Sequence, residues 1–129
     1  MFANEGLVKT FIAGGSISEY RIVKFGTDDR IALQATAALE KFAGVAGLPK
    51  GTSAVTGDSI DVIKSGVANI LYGGAVTVGD FLTSDDEGRA VVAADGDSLI
   101  GVAQITGIEG DLGAVQIQFG THYIAAVGP

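Results

Sequence analysis

The 129-residue chain has no cysteine, no tryptophan, one methionine, one histidine and two prolines. The lack of cysteine excludes disulfides and thiolate metal centres. A single histidine, His122, excludes a histidine-rich metal site and a base oriented by a second histidine. With Met1 the only methionine, no Met- or Trp-lined partner groove is available. No apolar run approaches the roughly 20 residues of a membrane-spanning helix, so no membrane partner is expected. The opening MFANEGLVKTF has Glu5 early and lacks the basic start and apolar block of a secretory signal. Synthesis in a cytoplasm is therefore expected.

Basic charge is scarce in one half only. Residues 1–64 carry seven basic and seven acidic side chains. Residues 65–129 carry Arg89 alone against Asp80, Asp85, Asp86, Glu87, Asp95, Asp97, Glu109 and Asp111, so the net charge of −7 belongs to that half. An acidic surface repels phosphate backbones, which disfavours a nucleic-acid partner. The evenly charged half is the cheaper one to desolvate and is the expected docking side.

What the chain has in quantity is glycine, 20 residues, with 47% hydrophobic and 18% charged residues. That is a globular composition at single-domain length. Alternation marks the strands: Val115, Ile117 and Phe119 face one way in AVQIQFG, Gln116 and Gln118 the other. YRIVKFG and RIALQA flank the turn GTDD as a hairpin. SIDVIKSG and VANILYGG meet at Gly66, a bend candidate. TAALEKF favours one short helix capped by Thr36. The expected fold is mainly β, a compact small barrel- or sandwich-like domain of short antiparallel strands with at most one short helix. Residues 1–8 are expected to form an N-terminal arm, mobile when free, and residues 9–129 a single β-rich domain.

An internal echo links residues 42–66, FAGVAG…GDSIDVIKSG, with residues 99–120, LIGVAQ…GDLGAVQIQFG. It fits either a duplicated β-unit or two hairpins with the same local needs.

Catalytic and metal patterns are weak. TSDDEGR has adjacent acids and lacks the distal bidentate Glu of a calcium loop, so a solvent-exposed turn with an acidic tip is expected, with Gly88 at positive φ. Gly14-Gly15 and Gly73-Gly74 match no phosphate-binding fingerprint and read as tight turns or close packing. No serine sits in a nucleophile elbow near which His122 could serve. No catalytic residue, metal ligand or cofactor site is expected.

The ordered series TFIAGGSISEYRIVKFG, ALQATAA, GVAG, GDSIDVIKSGVANILYGGAVTVGDFLTSDDEGRAV and LIGVAQITGIEGDLGAVQI resembles the tailed-phage capsid decoration, or cement, proteins across residues 10–120. The resemblance implies a non-enzymatic virion protein without cofactor, bound to the outer surface of an expanded icosahedral capsid and stabilising it against internal DNA pressure. It implies the major capsid protein as partner and homotrimers, or in some members dimers. No contact residues transfer from it. From the apolar-tipped N-terminal segment and the evenly charged half, Phe2, Leu7, Lys9 and Phe11 are the capsid-contact candidates. The alternatives are a small β-barrel module binding a ligand or peptide, with a concave apolar pocket, and an enzyme.

Overall fold

The computed structural model describes residues 4–123. They form β1 (Asn4–Glu5), β2 (Val8–Ala13), β3 (Ile17–Ser18), β4 (Ile22–Phe25), β5 (Ile31–Gln34), β6 (Phe42–Ala46), β7 (Ser53–Ala54), β8 (Ser59–Ile63), β9 (Gly66–Leu71), β10 (Phe81–Ser84), β11 (Ala90–Val92), β12 (Ser98–Ala103) and β13 (Leu112–Thr121), with no helix among the described residues. The chain is mainly β, as its alternation and glycine punctuation predict.

The strands build one unit twice. β2, β5, β4, β6 and β8 close a barrel in that order. β9, β11, β10, β12 and β13 follow the same cyclic order, closed by an isolated parallel bridge between Tyr72 and Ala90. Equivalent pairs share register: Ile22↔Val45 with Phe81↔Val102, Val23↔Gly44 with Leu82↔Gly101, and Ala46↔Val62 with Ala103↔Val115. The parallel pair Ala13↔Ala32 likewise matches Tyr72↔Ala90. The echo in the sequence is thus the readable part of a tandem duplication. The short parallel pairings are the exception to an otherwise antiparallel scheme.

The repeated residues have physical reasons. A Cβ on Gly44 would lie 2.2 Å from the Ile63 carbonyl oxygen, and one on Gly101 would lie 2.0 Å from that of Gln116, so each Gly-Val-Ala permits the same close strand approach. Each Gly-Asp closes a turn with glycine in the left-handed region, φ 95° at Gly57 and 88° at Gly110. In these turns Asp58 N donates to Val55 O (3.0 Å) and Asp111 N to Ile108 O (3.0 Å). The aspartate carboxylate accepts in return from Val55 N (2.9 Å) or Ile108 N (3.0 Å). Thr77–Asp80 and Ala94–Asp97 repeat the arrangement. In all four, the glycine N–H donates to one residue of a neighbouring segment, whose own N–H donates to the aspartate carbonyl; those residues are Ala13, Ala103, His122 and Tyr72.

TAALEKF does not form the expected helix. The Glu40 carboxylate accepts from Thr36 N (2.6 Å), Ala37 N (2.9 Å) and Thr36 Oγ1 (3.1 Å), and also binds Lys24 Nζ. These bonds take the backbone donors into a turn instead. Asn4 and Glu5 pair with Val67 and Gly66, and Gly6 N donates to Ser65 O (3.0 Å).

Candidate functional site

The first barrel covers one end of the second. Ile22, Phe42, Val45 and Ile63, on the outer side of β4, β6 and β8, are buried in one apolar cluster with Ala68, Ile70, Leu82 and Ile100 of the second barrel. This is why both Ile22 and Val23 are inaccessible, although they alternate on one strand. The loop 85–88 of the second barrel completes the seal. Gly88 O accepts from Ile22 N (2.8 Å), and Glu87 O accepts from Arg21 Nη1 (2.8 Å) and Gln34 Nε2 (2.9 Å).

The acidic tip is therefore not the free, wet turn that its composition suggests. Asp86 and Glu87 are exposed, but Gly88 is buried at φ 73°, as the turn chemistry requires. Asp85 is spent internally: its carboxylate accepts from Glu87 N (2.9 Å), Arg89 N (2.8 Å) and Arg89 Nε (2.8 Å). The hairpin is a clasp between the two barrels.

Among the described residues, the equivalent end of the first barrel has no such cover. Register equates Lys9, Phe11 and Phe25 with Ala68, Ile70 and Ser84, all three of which are buried. In the first barrel the same positions, with the loop Gly26–Arg30, line an open groove of about 550 Å³. Phe25 is 50% exposed there. Its ring stands 6.1 Å from that of Phe11. Lys64 Nζ lies 5.4, 5.0 and 5.9 Å from the rings of Phe11, Phe25 and Phe119, and donates to Ala43 O (2.8 Å). Lys9 Nζ lies 5.8 Å from the Phe11 ring. Burial, and then the nearby Lys9 charge, hold the Lys64 ammonium below the usual lysine range. The result is a socket of mixed character, in which the Phe11 and Phe25 rings and the Lys9 and Lys64 cations stand beside Asp28, Asp29 and Arg30.

Of the four expected contact residues, Leu7 (60% exposed) and Lys9 are on the surface. Phe11 is 3% exposed and packs with Ala13, Val23 and Val62, so it supports the socket floor from within the core. It lies on the inward face of β2 and reaches the groove only as part of its floor. Phe2 lies outside the described residues. Phe25, Lys64 and Phe119 are the members that the sequence did not suggest. Phe25 carried a signal as an aromatic ending a strand before a polar turn; Lys64 and Phe119 are brought in by the fold alone.

The remaining motifs are structural. A Cβ on Gly14 would meet Ile31 Cγ2 at 2.7 Å, and one on Gly73 would meet Asp85 Oδ2 at 2.4 Å, so the paired glycines serve close packing. The His122 ring lies 5.2 Å from that of Phe81. Two further surface grooves, of about 450 and 190 Å³, share Tyr20, whose φ is 59°.

No protein-family model and no curated protein matches the sequence. Among solved structures the chain is similar to the head fiber gp8.5 N base of bacteriophage phi29, at 22% identity over 87% of this chain and 93% of that one, with a TM-score of 0.65. That likeness is one of fold.

Proposed function

We propose that the chain is a structural protein of a tailed-phage virion, attached to the outer surface of the expanded icosahedral capsid. The observation that carries this reading is the fold shared with a phage head fiber base over 87% of the chain. The ordered sequence resemblance to capsid decoration proteins points to the same class independently. The major capsid protein is the proposed partner, and the N-terminal side with Leu7 and Lys9 is the proposed docking side. The acidic second half then faces away from the capsid surface.

A protein that binds only the expanded shell stabilises it by mass action, and many copies sum to a large effect against internal DNA pressure. No catalytic step and no cofactor enter this role. A ligand-binding barrel is less well supported, because both barrel interiors are filled by side chains such as Phe11, Val23, Tyr72 and Leu82.

The test is copy number in purified mature particles, by gel densitometry against the major capsid protein. A ratio of one per capsid subunit, or another simple lattice fraction, is expected. Absence from the particle overturns the reading, and equal binding to expanded and unexpanded shells overturns the stabilising mechanism.

A further inference from the structure

Among the described residues, the duplication leaves two matching surfaces without a full partner. Within the chain, the outer face of the first barrel seals the end of the second. The first barrel's own equivalent end is the open socket of Phe25, Lys9 and Lys64. The second barrel's equivalent outer face is covered only in part: the His122 ring lies against Phe81, and Gln116 stands where the first barrel has Ile63. Its register pair Phe81↔Val102 corresponds to Ile22↔Val45. Ile22 and Val45 are fully buried, whereas Phe81 is 40% exposed and Val102 is partly exposed.

We propose that a second copy of this chain fills the socket, head to tail. The face of one copy's second barrel, centred on Phe81 and Val102, covers the open end of the next copy's first barrel. The contact repeats between chains the relation that the two barrels already have within one chain. Charge supports the pairing. Around the socket Lys9, Arg30 and Lys64 outnumber Asp28 and Asp29, and the face belongs to the half with net charge −7. The contact is heterologous, so it generates a closed ring if its rotation closes and an open chain if it does not. This goes beyond the virion reading and is tested without any capsid, so that either can fail alone.

The experiment is sedimentation velocity on the purified chain and two variants, Phe25→Glu and Phe81→Glu. Both residues are substantially exposed, and circular dichroism checks that each variant folds. The wild type is expected to associate with rising concentration, and each variant alone to stay monomeric. An equimolar mixture of Phe25→Glu and Phe81→Glu should form a species of two chains and nothing larger. One intact face and one intact socket remain in that mixture, and they can meet only once. A wild type that is monomeric at every concentration, variants that still associate, or a mixture that restores nothing overturns the proposal. Occupation of the socket by another protein instead would give the first of these results.

Discussion

Tyr72 stands where Gly113 leaves room for it: a Cβ on Gly113 would lie 2.0 Å from Tyr72 Cζ. In the first barrel the equivalent positions are Ala13 and Ile60, both buried. The two barrels thus fill the same space from opposite strands, with tyrosine facing glycine in one and alanine facing isoleucine in the other. The Tyr72 hydroxyl is satisfied by donating to Ile105 O (2.7 Å). Gly113→Ile alone should overpack the second barrel and cost about 1–3 kcal/mol or more. Tyr72→Ala alone should cost about 3–5 kcal/mol through the cavity it leaves. The double variant, importing the first barrel's pair, should be more stable than the sum of the two losses allows. Denaturant unfolding of all four proteins measures that coupling.

The Gly-Asp turns predict a contrast between acids of similar exposure. Asp111 holds the Ile108 N–H, whereas Glu109 sits beside it on the same turn and makes only a long, exposed contact with Arg89. Asp111→Ala should cost about 1 kcal/mol, and Glu109→Ala should stay within about 0.5 kcal/mol. Thermal melts of both variants decide it.

The clasp makes the same argument at the junction between barrels. Asp85→Ala removes the acceptor for two backbone donors and for Arg89, and should destabilise by about 1–3 kcal/mol. Asp86→Ala, at the exposed neighbour, should be close to neutral. Gly88→Ala should also destabilise. Its φ is 73°, and a Cβ there would lie 3.0 Å from Gln34 Cγ and 3.1 Å from Ile22 O. If the tip were a free turn, Asp85 and Asp86 would behave alike in a chemical denaturation series.

Glu40 should make the fold acid-sensitive. Burial alone would raise its pKa, but the bonds from Lys24, from the backbone N–H groups of Thr36 and Ala37, and from the Thr36 hydroxyl outweigh it and hold the carboxyl below the usual range. A lowered folded-state pKa gives stability that is present above the unfolded value of 4.5 and is lost as pH falls through the folded value. Glu40→Gln should therefore lower the melting temperature at neutral pH. The gap from wild type should narrow below pH ~4.5. An unchanged gap across that range would mean that the carboxylate charge contributes nothing.

How much of this was legible in the sequence depended on range. Local chemistry could be read: the β class from alternation, the bend at Gly66 (φ 83°), the left-handed Gly88 and the close packing at the glycine pairs. The duplication was half legible, because Gly-Val-Ala and Gly-Asp answer backbone constraints common to both units, while core positions such as Ala13 and Tyr72 need only equal total volume and so diverge. The socket was nearly invisible. Phe11 and Phe25 lie on different strands, and Lys64 reaches both only because β8 ends beside them. The acidic tip misled for a related reason: the Asp86 and Glu87 side chains do face water, while the backbone beside them is bonded to Arg21, Ile22 and Gln34.

The pairing of Asn4–Glu5 with Gly66–Val67 has a consequence for the order in which the molecule is assembled during translation. The first described strand belongs to the sheet of the second barrel, about 60 residues downstream. At synthesis rates of about 5–20 residues per second, it waits roughly 3–12 s for its partner to be made. All the strands of the first barrel are complete before that moment. Asn4 and Glu5 are thus the last of the described residues of their own half to be fastened, by the arrival of the other half.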